Sequence, residues 1–144
     1  VASMRMSSDL ERMGDLARHV AQVARMRYPE HALPDELRET FADMGRIAED
    51  LVRRVGEVIR SQDLTQARDI ENVDDALDAH HREMFTRLAE GAWQHGTTSA
   101  VDVALLSRYY ERFGDHAVTV ARRVGFLVTG DAGSIELPEE SERA

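Results

Sequence analysis

Residues 11–21 read ERMGDLARHVA, and residues 111–121 read ERFGDHAVTVA. Glu, Arg, Gly, Asp, Ala, Val and Ala coincide, seven of the eleven positions. The apolar stripes also stay in step, because Leu10, Met13, Ala17 and Val20 fall one hundred residues before Tyr110, Phe113, Ala117 and Val120. Any two bundle helices share apolar spacing in threes and fours. They do not otherwise share Glu, Arg, Gly and Asp in register, so the chain carries a duplicated helix.

The same periodicity extends outward from both copies. Leu10, Met13, Ala17, Val20 and Ala24 form a first stripe, broken by Tyr28, Pro29 and Pro34. A second helix is expected to open with Pro34 at its first position, then Asp35 and Glu36 at the positive end of the dipole. Its stripe is Leu37, Phe41, Met44, Ala48, Leu51, Val55 and Val58. Asp63, with Gln66 three residues later, caps a third helix. That helix carries Ile70, Val73, Leu77, Met84 and Leu88, with His80 and His81 filling the gap in the stripe. Gly91 and Gly96 close it, and Thr97, Thr98 and Ser99 offer caps for a fourth, with Leu106, Tyr110, Phe113, Ala117, Val120, Val124 and Leu127 as its stripe.

No segment alternates with the period of two that marks a half-buried strand. Helices of about 25–30 residues reach roughly 40 Å at 1.5 Å per residue. Near-3.5 spacing over such lengths implies small crossing angles, so the expected fold is all-α, an elongated antiparallel helical bundle. The second repeat copy ends a three-helix unit at residues 34–129. By symmetry, the first copy, within residues 1–28, ends an earlier unit, two helices of which are expected to be missing. A lone amphipathic helix cannot bury its stripe. Residues 1–27 should therefore pack across the second unit or against another chain, in a homodimer or an exchanged arrangement. Residues 130–144 are polar, acidic and interrupted by Pro138, and are expected to be a disordered tail.

Composition removes several functions. The net charge of −9 lacks the basic footprint that nucleic-acid binding needs and suits cationic partners or ions. All eighteen basic residues are arginine, which excludes a Schiff-base or P-loop lysine in this chain. The absence of cysteine excludes disulfides, thiolate catalysis and sulfur-ligated zinc. No apolar run approaches the about 18 residues of a membrane span, and no signal-peptide layout opens the chain, so a cytoplasmic protein without membrane insertion is expected.

Glu11 and Asp15 lie one helical turn apart, as do Glu111 and Asp115, and Asp74 and Asp78. Like charges at that spacing cost roughly 0.2–0.5 kcal/mol per pair. Either a cation or nearby arginines (Arg12, Arg18, Arg82, Arg112) must offset them, and both accounts stay open. Because helices three and four should be antiparallel neighbours, Asp74, Asp78, Glu111 and Asp115 can converge into one metal-binding patch. Ferritin-like bundles hold metals this way, but the Glu-x-x-His partner they use is missing on both repeat helices. Asp78 and His81 are three apart and suited to sharing a metal, although His81 sits beside the core stripe and is expected to be packed. Gly14 and Gly114 each cost about 1 kcal/mol against alanine in a helix, which suggests close approach by another backbone or an ion, or simple inheritance from the duplicated ancestor.

These features together resemble the PhoU family of phosphate-transport regulators. Its members have two tandem three-helix bundles, the last helix of each carrying an E(D)xxxD motif in a stretch such as ERIGDHAVNIA. Here DLERMGDLARHVA at 9–21 and YYERFGDHAVTVA at 109–121 match it, and DDALDAHHREMF at 74–85 matches the DxxxD of the middle helix. Actinobacterial members are most similar, in the run at 31–51 and in AVDVALLSRYYERFGDHAVTVARRV at 100–124. The resemblance implies metal ligation by Asp74, Asp78, Glu111 and Asp115, and by Glu11 and Asp15 for the first unit, with multinuclear iron or zinc held by carboxylates. It further implies a negative regulator of phosphate uptake and the phosphate-starvation response, linking the phosphate ABC transporter ATPase to a sensor histidine kinase, and no catalytic role. A carboxylate-bridged di-metal oxidase and a purely structural helical module are the competing readings.

Overall fold

The computed structural model describes residues 1–91 and 93–131. Four helices follow one another: α1 (Ala2–Arg27), α2 (Arg38–Ser61), α3 (Leu64–Ala89) and α4 (Gly96–Thr129). Among the described residues there is no strand, and no helix is long and apolar enough to cross a membrane. The all-α helical bundle expected from the periodicity is the fold. Most of the expected tail, residues 132–144, lies outside the described residues.

α2, α3 and α4 form an up-down-up triangle around a core of Phe41, Met44, Leu51, Val55, Ile70, Leu77, Met84, Val103, Leu106 and Val120. The α2–α3 turn is two residues long. Gln62 takes a left-handed φ of 57°, and its N–H donates to Val58 O at 2.8 Å. Asp63 then caps α3, accepting from Thr65 N at 2.8 Å and Gln66 N at 3.3 Å. Gln66 does not return to the cap backbone as a capping box would; Ser61 takes that role, accepting from Asp63 N through its hydroxyl.

Two helix starts differ from expectation. Pro34 does not open α2. Its carbonyl accepts from Leu37 N at 3.0 Å in a 3-10 turn over Asp35–Leu37, and α2 begins at Arg38. The tighter turn brings Leu37 fully into the core. None of Thr97, Thr98 or Ser99 caps α4, which starts at Gly96 with φ +80° and no side-chain cap. The entry is held instead by the Trp93 indole N–H, donating to Gly96 O at 3.0 Å while its ring packs on the core.

α1 lies antiparallel along α4, and its backbone approaches neither α2 nor α3. Packing across the second unit is thus the observed arrangement. With a single neighbouring helix, α1 covers only part of its stripe: Met13 and Val23 are buried and Met6 and Val20 partly so. Leu10, Ala17 and Ala24, expected in the core, are exposed; Ala17 borders a gap between α1 and Gly45, Ala48 and Val52 of α2 that no side chain closes. Charge completes the attachment. Arg27 donates to both oxygens of buried Asp102, at 2.6 and 3.0 Å. At the other end, Asp9 pairs with His116 Nδ1 at 3.0 Å and accepts from Arg123 Nε at 2.9 Å.

Hydrogen bonds to charged groups are the stronger kind, so these two clamps should set how tightly α1 docks. Replacing Asp9 and Asp102 together by alanine is expected to speed amide hydrogen exchange across residues 2–27 by about tenfold or more, with α2 and α3 little changed. Unchanged exchange in α1 would show that Met13 and Val23 suffice.

Candidate metal centre

The α3–α4 seam is built from small residues facing large or charged ones. Asp74 and Asp78 project from one face of α3, and Glu111 and Asp115 project toward them from α4. Gly114 makes room for this. A Cβ at position 114 would collide with the Asp74 carboxylate and come within 3.1 Å of Leu77 Cδ1. The close approach expected at this glycine is real, but a carboxylate makes it rather than a backbone. Gly14 has open space where a Cβ would stand, so the expectation of close approach fails for the first copy in these helices.

One carboxylate oxygen from each of Asp74, Asp78 and Asp115 lies within 4.8 Å of the others. Asp74 is only 7% exposed, and its Oδ1 has no hydrogen-bond partner. Burial first, and then the charges of Asp78 and Asp115, push its pKa up to about 8. Glu111, 6% exposed, stands just outside this triad. Burial and then Asp115 raise it to about 7, against the pull of Arg108, whose Nη1 donates to Glu111 Oε2 at 2.9 Å. Without a cation, the site keeps protons on groups that are ordinarily ionised at neutral pH.

A buried carboxylate oxygen with no partner, beside two further aspartates, fits a bound cation. Hard oxygen donors serve Mg, Ca and Mn, and carboxylate-bridged bundle sites take iron or manganese. The acids are also not on an open surface, since Asp78 and Asp115 are half-buried. A cavity of about 270 Å³ adjoins them, lined by Asp78, His81, Arg82 and Glu111.

The first acid pair is placed differently. Glu11 is exposed, and Asp15 is engaged by Arg18 at 3.2 Å and Arg12 at 4.0 Å on its own helix. Among the described residues, no acid from another helix forms a metal-suited cluster with them. Residues that the sequence reading missed include Ser107, which is fully buried and hydrogen-bonded to His81 Nδ1 at 2.7 Å. Its signal was positional: a serine one turn before Glu111 and two before Gly114, on the same face of α4. His81, expected to be merely packed, is half-buried and borders the cavity; burial and Arg108 lower its pKa.

The PhoU domain family matches residues 41–124, more than half of the chain, covering both α3 and the repeat segment of α4. The chain belongs to the PhoU family. It is 53% identical over 130 residues to the phosphate-specific transport system accessory protein PhoU homolog 2 of Mycobacterium tuberculosis, covering 90% of this chain and 61% of that protein. PhoU homolog 1 of Mycobacterium leprae is 49% identical over 130 residues, 90% of this chain and 59% of that protein. PhoU homolog 1 of Mycobacterium tuberculosis is 42% identical over 141 residues, 98% and 62%. The chain thus spans about three-fifths of the length of the curated relatives it matches. No solved structure gives a significant match.

In this PhoU chain the two repeat glycines should respond oppositely. Gly114→Ala must displace the Asp74 carboxylate and is expected to cost about 1–3 kcal/mol by overpacking. Gly14→Ala, exposed with free space, should gain about 0.5–1 kcal/mol of helix propensity. Urea denaturation of both variants checks the contrast, and equal effects would contradict it.

A pH dependence follows from Asp74. The folded state holds its proton up to about pH 8, whereas the unfolded chain releases it near its ordinary value of about 3.9. The folded state therefore binds more protons across that window, and its stability falls as pH rises through it. In chelator-treated protein, Asp74→Asn should flatten the decline between about pH 5 and pH 8; a slope identical to wild type would refute the assignment.

Proposed function

We propose that this chain acts as a PhoU-type negative regulator of phosphate uptake and of the phosphate-starvation response, and that its α3–α4 carboxylate centre holds metal. The observation carrying the metal reading is the buried, partnerless Asp74 oxygen lodged against Gly114 beside Asp78 and Asp115. The regulatory reading is supported by the relatives, which are named as accessory proteins of the phosphate-specific transport system.

Asp74, Asp78, Asp115 and Glu111 would hold the metal, with iron or zinc in a multinuclear, carboxylate-bound arrangement as the favoured identity. Glu11 and Asp15 would join a second centre only with ligands from beyond these four helices. The bound cation would supply positive charge to a patch that otherwise repels itself, and so fix the α3–α4 seam as a rigid docking face. The partners are the ATPase of the phosphate ABC transporter and a sensor histidine kinase, met in the cytoplasm by a homodimer. A di-metal oxidase is disfavoured because that chemistry draws a carboxylate-x-x-His pair from each of two helices, whereas α3 offers one, Asp78 with His81, and α4 offers none, with Gly114 three after Glu111 and Val118 three after Asp115.

Two measurements test this. Protein purified without chelator should contain iron or zinc, and Asp78→Asn with Asp115→Asn should reduce the bound metal at least about tenfold; unchanged metal content defeats the metal reading. A pull-down of the family-length protein should capture the transporter ATPase or the kinase, and failure with both defeats the adaptor reading.

A further inference from the structure

The His81 ring is held in a way that carboxylate ligation alone does not require. Its Nδ1 lies 2.7 Å from the hydroxyl of Ser107, which is itself fully buried on α4. Phe85, one turn along α3, packs edge-on against the imidazole with ring centroids 4.7 Å apart. Two contacts therefore fix the ring plane. Nε2 stands on the opposite edge of the ring from the nitrogen that meets Ser107. The side chain borders the cavity shared with Asp78 and Glu111, and His81 follows Asp78 by three residues, on the same face of α3.

We propose that His81 is a nitrogen ligand of the metal centre, entering through Nε2 from the cavity it shares with Asp78 and Glu111, and that Ser107 is the residue positioning its ring. This rests on the metal reading given above. Neutral imidazole carries one N–H and one lone pair. When Nδ1 donates to the Ser107 hydroxyl oxygen, the lone pair is left on Nε2. Metal-binding histidines are regularly oriented through the other ring nitrogen in this way. His81 lies outside the Asp74, Asp78 and Asp115 triad, so its nitrogen serves the side of the centre toward Glu111. The consequence is selectivity: imidazole suits zinc and iron, whereas magnesium and calcium prefer all-oxygen sets. Nitrogen ligation would let a site otherwise made of hard carboxylates discriminate against the abundant alkaline-earth ions.

The test is a Zn(II) titration of the chelator-stripped, 15N-labelled 144-residue chain, followed by long-range histidine 1H–15N spectra. Of the six histidines, His81 alone should move its Nε2 resonance to the metal-bound range, saturating with the first zinc bound. His81→Asn should weaken Zn(II) binding about 10–100-fold, and Ser107→Ala about tenfold, with Mg(II) affinity unchanged in both. Zinc that binds, is lost in Asp78→Asn, and leaves the His81 resonance unmoved would overturn His81 ligation while sparing the carboxylate centre. No zinc bound at all would overturn both. Because the spectra are recorded on the unmutated chain, the result does not depend on either variant folding.

Discussion

Burying a carboxylate without a partner is among the less favourable things a fold can do, and the group commonly answers by keeping its proton. Asp74 does this in the middle of the α3–α4 seam. It is packed where α4 has no side chain, against Gly114, with Leu77 one turn away closing the contact. The geometry of the seam follows from that single placement. It sets the local approach of the two helices, brings Asp78 and Asp115 within reach, and leaves Glu111 raised toward neutrality beside Arg108. A fold optimised for stability alone would place alanine and leucine here. Keeping an ionisable, unsatisfied group at such a point is the pattern of a ligand site.

α4 serves as the axis of the molecule, and its faces divide the work. One carries Val103, Leu106, Ala117, Val120 and Val124 into the core with α2 and α3. The face toward α1 carries Asp102, His116 and Arg123, which meet Arg27 and Asp9. The α1 attachment is the less apolar of the two, with two well-buried side chains on α1 and charged clamps at each end. Local stability should fall in the same order, because apolar burial resists opening more than exposed polar contacts do.

The helices, their order and most of their core residues were legible in the chain because apolar periodicity reports burial directly. The second stripe is buried from Leu37 through Val58 as its spacing indicated. The termini were less legible. Pro34 and the threonines after Gly96 are good local signals, but burying Leu37 and docking Trp93 decided where the helices start. On α1 the periodicity identified a helix yet misplaced its covered edge, because a stripe about 100° wide can be met along either side and only the neighbour chooses. The four acids of the candidate centre were found from spacing and repetition. Ser107 and the cavity by His81 were not, since a hydrogen bond across 26 residues leaves no periodic trace.

The sequence by itself determined that this chain is a helical bundle with a duplicated acidic helix, since periodicity and repetition are properties of a linear string. The residues of the two copies are nearly the same, and only the aspartates expected on the neighbouring helix favoured the second. Tertiary structure shows what packs opposite each. Glu111 and Asp115 face the aspartates of α3 across a seam that Gly114 opens, while Glu11 and Asp15 face solvent and their own arginines. The same short motif is a candidate metal centre in one place and a solvated helix face in the other, because electrostatic environment depends on what packs opposite a side chain and not on what precedes it in the chain.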